Sequence, residues 1–385
     1  MKEKIWTGEF IGVAAANLFY FMSQYILIAA LPVFIMDDLG GGEWEAGMAM
    51  TCYQAGTVLF RPMAGFLINS MNKQKLLLYA SLLFLILMGS LYFATSVPFI
   101  WGIRFFHGVA FAIGSTAAAT LAALVLPGRR KGEGIGYFAL STNLAMVIGP
   151  TAGLLIINHL GPKILFLFLT LLAAGALVGG NGRKVDDTIA LPSPDGKKGF
   201  HLSDLVEMKA MPMVILGGLV FFAYGGVLTY IPMYTKSLHL FDYTSLFFIT
   251  FAMVIVMTRP WIGHLFDQKG PDYTVYPGFA FFILGFFLFS QAESVTFLLL
   301  SGAVLGIGFG ALAPAFQTLA IQSVPPSRAG VATSTYFWSL DIAVGLAAVI
   351  LGMVSESMSY PFMYGIVCLG SAVLGLMYYV WWRRG

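Results

Sequence analysis

One aspartate and three arginines of this chain lie inside long apolar stretches, where charged residues are rare. The aspartate is Asp341, in the string FWSLDIAVG, and the arginines are Arg61, Arg104 and Arg259. An ionisable group within a bilayer is costly and is therefore a functional candidate. Burial disfavours the charged carboxylate, and contact with an aqueous cavity relieves that penalty. Asp341 thus predicts proton coupling, and a static hydrogen bond between helices is the alternative.

Arg104 and His107 are three residues apart and share a helix face. Arg104 could pair with Asp341 or attract an anionic part of a substrate. A histidine titrates near neutral pH unless its surroundings shift its pKa, so His107 could relay protons. A neutral histidine in a fixed hydrogen bond is an equally good interpretation of His107. We include both residues in the predicted coupling set.

A stripe of polar side chains predicts a substrate cavity. Asn17, Tyr20 and Gln24 follow the i, i+3, i+7 spacing of one helix face. Amides and aromatic rings around a cavity suit amphipathic organic molecules. Ordinary packing between helices is the competing interpretation. The same argument adds six further residues to the cavity: Tyr53, Gln54, Tyr224, Tyr230, Gln317 and Trp338.

Composition indicates a membrane protein. The chain is 58% hydrophobic and 10% charged, with a mean hydropathy of +0.84, whereas about a quarter of the residues of a soluble domain are charged. The net charge of +3 is too small to suggest a nucleic-acid partner. No string typical of a nucleotide, metal or nucleophile site occurs, so we expect no cofactor, no bound metal and no enzymatic activity.

Apolar runs long enough to cross the bilayer predict twelve transmembrane helices, since helices satisfy their own backbone groups in lipid. The predicted spans are 8–36, 46–69, 74–96, 98–126, 133–160, 162–180, 211–235, 243–267, 273–292, 295–323, 328–355 and 360–382. Of the 21 Lys and Arg residues, sixteen then lie in loops or at span ends on one side and two on the other, and three lie well inside spans. This asymmetry predicts that both termini are cytoplasmic. We expect a bacterial cell membrane.

The chain repeats at a spacing of 198 residues. RPMAGFLIN begins at Arg61 and RPWIGHLFD at Arg259, while PGRRKG lies on PPSRAG, which pairs Arg130 with Arg328. Asn143 falls on Asp341, so we add Asn143 to the predicted coupling set. Two six-helix halves of equal orientation are an architecture of secondary transporters. The predicted domains are 1–180 and 210–385, joined by a cytoplasmic linker at 181–209.

Three strings carry a resemblance to the major facilitator superfamily. GFLINSMNKQK (65–75) resembles its loop 2–3 motif, and RFFHG (104–108) resembles its helix-four motif. GPTAG, which supplies Gly149, Pro150 and Gly153, resembles the motif of drug:proton antiporters. The resemblance implies an all-α fold of twelve membrane helices in two pseudo-symmetric bundles. It also implies a monomeric carrier that exports a small organic molecule, such as a drug-like compound, in exchange for protons.

Three alternatives stay open: a proton symporter, an exporter of sugars or metallophores, and a membrane receptor that does not transport. The loop 2–3 motif also departs from its usual pattern, because Asn69 occupies the usual aspartate position while Asp267 is present in the second half. In the family that carboxylate resembles a cap on a helix N-terminus of the opposite half, which closes the cytoplasmic side. We predict that this gate consists of Asn69, Asp267, Arg61, Arg259, Arg130 and Arg328, and that its Asp267 side is stronger than its Asn69 side, because an amide can accept the same hydrogen bond but lacks the charge. Simple snorkelling of Arg61 and Arg259 is the alternative.

Overall fold

The computed structural model describes residues 4–182 and 205–384, and twelve long helices account for most of them. The described residues contain no β-strand. The helices are α1 (Gly8–Val33), α2 (Glu43–Ser70), α3 (Lys73–Ser90), α4 (Val97–Val125), α5 (Lys131–Leu160), α6 (Pro162–Asn181), α7 (Met211–Ser237), α8 (Thr244–Lys269), α9 (Asp272–Ser290), α10 (Val295–Gln322), α11 (Ala329–Ser357) and α12 (Tyr360–Arg384).

Eleven helices among the described residues are long and apolar enough to cross a membrane. The twelfth, α2, has 28 residues but includes Glu43, Glu45 and Arg61, which lower its mean hydropathy. The structure therefore confirms the prediction of an all-α membrane fold. Most of the predicted linker, from 183 to 204, lies outside the described residues.

Several helix starts are fixed by side-chain caps. The backbone N–H of Phe10 donates to Thr7 Oγ1 at 3.2 Å before α1, and that of Lys75 donates to Asn72 Oδ1 at 2.8 Å before α3. Such caps satisfy amide groups that the first helical turn leaves without a partner. The Asn72 cap begins α3 two residues after α2 ends, so α2 and α3 are joined by a very short turn.

Contacts divide the chain into two compact units. Unit 1 consists of Met1–Gly128, Phe138–Met208 and Val324–Trp338, and unit 2 of Arg129–Tyr137, Lys209–Ser323 and Ser339–Gly385. Helices α5 and α11 are consequently shared, because the start of each packs in one unit and the remainder in the other. The domain boundaries predicted from the repeat, 1–180 and 210–385, stay a prediction.

Glycines at repeat-equivalent positions let helices approach closely in each unit. A Cβ on Gly108 of α4 would lie 2.8 Å from the backbone nitrogen of Thr57 in α2. A Cβ on Gly306 of α10 would lie 2.7 Å from the carbonyl oxygen of Phe251 in α8. Both distances are too short for a side chain, so only glycine fits either crossing. The sequence repeat is thus also a repeat of backbone contacts.

Candidate functional site

A cluster of polar side chains surrounds Arg104 in unit 1. Arg104 is fully buried, and its Nη1 donates to Gln24 Oε1 at 3.3 Å and to His107 Nδ1 at 2.8 Å. Its Nη2 lies 3.5 Å from the sulfur of Met50, and its guanidinium lies 4.4 Å from the centre of the Tyr53 ring. None of these partners is acidic. Arg104 is therefore a buried cation whose described partners are all neutral.

The bond to Arg104 determines the protonation of His107. A guanidinium has no acceptor, so His107 Nδ1 must accept, and the neutral ring then carries its proton on Nε2. Nε2 is buried and has no partner among the described residues, and neither has Arg104 Nε. The ring is enclosed by Tyr53 at 5.0 Å and Phe84 at 5.2 Å between centroids. The cluster thus offers two donors suited to a negatively charged or acceptor group.

The polar stripe of α1 contacts three different helices of unit 1. Asn17 Nδ2 donates to Ser141 Oγ in α5 at 2.7 Å. The Tyr20 hydroxyl bonds to Ser81 Oγ in α3 at 2.9 Å, whereas Gln24 faces Arg104 in α4. All three α1 side chains are buried. Their common face therefore links α1 to its neighbours, and their predicted role as a substrate cavity stays a prediction.

The GPTAG string brings α5 close to α1. A Cβ on Gly149 would lie 2.6 Å from Tyr25 Cβ, and a Cβ on Gly153 would lie 2.8 Å from the carbonyl oxygen of Ile26. Pro150, between them, is partly exposed and lies inside α5. The two glycines thus serve as one contact surface against two consecutive residues of α1.

Arg61 is buried near the end of α2 and contacts α4 and α11 in unit 1. Its Nη1 donates to Ser115 Oγ at 2.7 Å and to Thr116 Oγ1 at 3.3 Å. Its guanidinium also lies 5.5 Å from the Phe111 ring and 5.3 Å from the Phe337 ring. Hydroxyl groups and aromatic faces stabilise this cation in place of lipid headgroups or water. The side chain is thus packed inside the protein and does not snorkel.

Asp267, at the end of α8, caps the start of α5. Its two carboxylate oxygens accept from the backbone N–H groups of Gly132 and Glu133, each at 2.9 Å. A carboxylate at this position satisfies free amides and complements the positive end of the helix dipole. The Glu133 side chain is paired separately with Arg130 at 2.8 Å. The capping geometry thus agrees with the predicted gate, whose function stays a prediction.

Arg259 lies eight residues before Asp267 in α8 and is held by backbone carbonyls. Its Nε donates to Gly136 O in α5 at 2.7 Å, and its Nη1 donates to Gly310 O in α10. The residue is 2% exposed, and Nη2 has no partner among the described residues. Arg259 is therefore packed inside unit 2 rather than extended to an interface.

Arg328, the repeat equivalent of Arg130, has a distant partner. Its Nε donates to Glu207 Oε2, and the backbone N–H of Glu207 donates to Thr335 Oγ1 at 3.0 Å. Glu207 is 5% exposed and lies just before α7 in the chain. The pair fixes the residues before α7 against the start of α11 within unit 1.

The remaining predicted residues lie in both units. In unit 2, Tyr224 stacks on Phe309 with 4.2 Å between ring centroids. Asp341 is partly exposed, near the middle of α11. The side chain of Asn69 lies outside the described residues. For the remaining predicted residues we give the burial alone. Asn143 and Gln317 are buried, and Gln54, Tyr230 and Trp338 are partly exposed.

Sequence reasoning missed the partners of three arginines, Arg61, Arg259 and Arg328. Glu207 was assigned no chemistry, although a signal existed: Arg130 has a glutamate three residues later, whereas Arg328 has Val331 there and needs a partner from elsewhere. Ser115 and Thr116 were also overlooked as polar groups within an apolar helix. Nothing in the spacing of Arg259 pointed to backbone acceptors.

Comparisons with known proteins agree with this architecture. The model of the Major Facilitator Superfamily matches residues 13–291. An uncharacterised MFS-type transporter of Burkholderia mallei (strain SAVP1) is 23% identical over 364 residues, covering 92% of this chain and 87% of the relative. A second one, from Methanocaldococcus jannaschii, is 21% identical over 362 residues, covering 92% of this chain and 93% of its own.

A solved structure has the same fold. The crystal structure of the human organic anion transporter MFSD10 (TETRAN) superposes with a TM-score of 0.79 at 13% sequence identity, covering 96% of this chain and 98% of that one. Since the superfamily model spans more than half of the sequence, the chain belongs to the major facilitator superfamily and is a multi-pass membrane transporter.

Proposed function

We propose that the protein exports a small amphipathic organic molecule across the cell membrane by alternating access, in exchange for protons. The observation that carries the coupling is Asp341, a partly exposed carboxyl near the middle of the apolar helix α11. A carboxyl at that depth changes protonation when its access to water changes. Proton release and substrate movement can then be linked through one group.

The cluster around Arg104 supports a neutral or anionic substrate over a cationic one. Arg104 and His107 present donors and one positive charge, and their described partners include no carboxylate. A cationic substrate would be repelled there, whereas a carboxylate or another acceptor would satisfy both donors. The human structural neighbour transports organic anions, but its likeness to this chain is one of fold. The preference therefore rests on the cluster.

The gate at α5 supports alternating access. Asp267 and Arg259 of α8 both bond to the first turns of α5. These bonds favour the conformation described here, so a carrier that changes state must release them. With both termini in the cytoplasm, the gate would close the cytoplasmic side.

The test is flux in proteoliposomes under an imposed pH gradient. Carboxyfluorescein serves as the anionic probe and ethidium as the cationic one. We expect an outwardly directed flux of carboxyfluorescein driven by inward proton movement. Asp341→Asn should abolish gradient-driven flux while exchange without a gradient persists. Flux in the same direction as the protons would favour a symporter, and binding without any flux would favour a receptor.

The substrate preference has its own test. Arg104→Gln removes the positive charge and should raise KM for carboxyfluorescein about tenfold, the order expected for one lost charged hydrogen bond. The matched control is Thr51→Val on α2, an exposed hydroxyl bonded to its own helix at Gly47 O. An unchanged KM in Arg104→Gln, or a preference for ethidium in the parent protein, would contradict the proposed substrate class.

A further inference from the structure

The sequence repeat does not supply the start of α11 with the carboxylates that stabilise the start of α5. In unit 2, Asp267 caps the start of α5, and Glu133 pairs with Arg130. The positions 198 residues away from these two carboxylates are Asn69 and Val331, and neither side chain carries a charge. The start of α11 therefore needs a carboxylate from outside the repeated pattern.

That carboxylate comes from the residues before α7. Glu207 lies four residues before the first residue of α7, and its Oε2 accepts from Arg328 Nε. The backbone N–H of Glu207 donates to Thr335 Oγ1 at 3.0 Å. We call these three residues, Glu207, Arg328 and Thr335, the α11 latch. Because Arg328 and Thr335 are seven residues apart, the latch holds about two turns at the start of α11.

The latch is mostly shielded from water. Glu207 is 5% exposed and Thr335 is 1% exposed, whereas the Arg328 side chain is 30% exposed. A buried carboxylate is costly unless a cation and hydrogen bonds compensate its charge. A shift of the α11 start would separate Glu207 from Arg328 while the carboxylate is still shielded. The latch therefore favours one position of this segment.

The latched segment of α11 also packs against α2 within unit 1. Ser334 Oγ donates to the carbonyl oxygen of Arg61, and a Cβ on Gly65 would lie 2.6 Å from Ser334 Cβ. Asp341 lies thirteen residues after Arg328 in the same helix, which is about 20 Å along the helix axis. A movement of the α11 start is thus passed along one helix to the carboxyl proposed for proton coupling.

We propose that Glu207 is a positioning residue of the transport cycle, because it supplies at α11 the carboxylate that Asp267 supplies at α5. This role rests on the alternating access proposed above. In the described conformation the latch holds the start of α11 in place, and the conformation that accepts substrate from the cytoplasm requires the latch to open. Loss of the latch shifts the population toward the open conformation, so the apparent affinity for cytoplasmic substrate rises.

Transport kinetics separate this role from a purely structural one. In everted membrane vesicles the cytoplasmic face is outside, so uptake of carboxyfluorescein driven by an acidic interior measures export. Glu207→Gln should lower KM about three- to fivefold, the factor that an ion pair with one partly exposed partner is worth. A purely structural role would lower the maximal rate through loss of folded protein and leave KM unchanged, and that result would overturn the proposal.

A second variant removes the same ion pair from its exposed side. Arg328→Gln should lower KM as much as Glu207→Gln, and the double variant should lower it no further, because both changes open one latch. Additive effects would show that the two charges act separately and would contradict the latch. Arg383→Gln is the matched control, since it breaks an ion pair with Asp272 at 2.6 Å that joins α12 to α9. It should leave KM unchanged.

Hydrogen exchange tests the latch without transport. In purified full-length protein, Glu207→Gln should accelerate exchange of the amides of residues 329–335 about three- to fivefold, and residues 131–137 should not change. Equal exchange in the variant and the parent would overturn the proposal. If the parent moves no carboxyfluorescein, the proposed export function fails, whereas hydrogen exchange still decides whether Glu207 holds the start of α11.

Discussion

The last turns of α2 and α8 carry the same short sequence pattern, but the arginine of each pattern contacts different kinds of groups. In unit 1, Arg61 contacts the hydroxyls of Ser115 and Thr116 and two aromatic rings. In unit 2, Arg259 donates to backbone carbonyls of Gly136 and Gly310. The glycine after each arginine, however, packs in the same way against the next shared helix.

The difference follows from two substitutions in the repeat. The positions equivalent to Ser115 and Thr116 are Ala313 and Pro314, which provide no hydroxyl. Pro314 has no backbone N–H, so it cannot complete the helical hydrogen bond to the carbonyl four residues earlier. That carbonyl belongs to Gly310, the acceptor of Arg259. The comparison teaches that the duplicated halves retain backbone proximity while their polar partners diverge.

The largest loss of stability is expected from adding a side chain at Gly65 or Gly263, where each helix lies against its neighbour. A Cβ on Gly263 would lie 2.7 Å from Glu133 Cα, whereas a Cβ on Gly65 would lie 2.6 Å from Ser334 Cβ. Gly263→Ala and Gly65→Ala should each lower the free energy of unfolding by about 2–3 kcal/mol, as overpacking does. The measurement is unfolding in mixed micelles with sodium dodecyl sulfate.

A second substitution separates these two sites. Ser334→Gly removes the side chain that Gly65→Ala would strike, so the double variant should recover part of the lost stability. The obstruction at Gly263 is a backbone atom, and no side-chain change can relieve it. If Ser334→Gly failed to rescue Gly65→Ala, or rescued Gly263→Ala equally well, the Ser334 side chain would not be the obstruction that distinguishes the two sites.

The next largest effect concerns the arginines. Arg259→Ala should cost more stability than Arg61→Ala, by about 1–2 kcal/mol, because it leaves Gly310 O without a donor. The hydroxyls near Arg61 retain bonds to carbonyls of their own helix, from Ser115 to Phe111 O and from Thr116 to Ala112 O. Unfolding titrations of both variants provide the measurement.

The role of Pro314 sharpens this second comparison. Pro314→Ala restores an N–H that can bond to Gly310 O, so it should reduce the cost of Arg259→Ala in a double-mutant cycle. The same proline change should leave the cost of Arg61→Ala unaltered. A cycle with no coupling between positions 259 and 314 would disprove the proposed explanation of the difference.

A moderate effect is expected at the helix cap. Asp267→Asn keeps one acceptor oxygen but loses the charge and the second acceptor for the N–H groups of Gly132 and Glu133. The cost should be about 1–2 kcal/mol. Hydrogen exchange of these two amides should accelerate about tenfold, and amides in the middle of α5 should not change. Unchanged exchange would show that the cap does not hold the α5 start.

The smallest effects are expected at the ion pairs of the two repeat-equivalent arginines, Arg130 and Arg328. Glu133→Gln breaks a partly exposed pair with Arg130 within one helical turn and should cost about 0.5 kcal/mol or less. Glu207→Gln breaks a pair with Arg328 in which the glutamate side chain is 7% exposed, so it should cost more than Glu133→Gln. The same unfolding titration ranks the two variants, and the reverse order would contradict the assignment of Glu207 as the firmer partner.

Features that depend on residues close together in the sequence, such as helix positions and shared helix faces, were predicted correctly. The lengths of the apolar runs predicted the membrane helices, because backbone groups in lipid must bond within their own segment. The three-residue spacing of Arg104 and His107 placed them on one face, and their bond at 2.8 Å confirms it. The 198-residue repeat places Gly65 and Gly263 at equivalent positions, and both make close helix contacts, since a repeated sequence folds into repeated backbone geometry.

Partners distant in the sequence were decided only by the tertiary structure. Tyr20 bonds to Ser81 and Glu207 to Arg328, although nothing in the local pattern of either residue names its partner. Hydrophobic periodicity fixes which face of a helix turns inward, but packing against other helices determines which side chain it meets. For a buried arginine, the partner determines how its charge is stabilised. The sequence shows the charge, but only the packed helices show which groups compensate it.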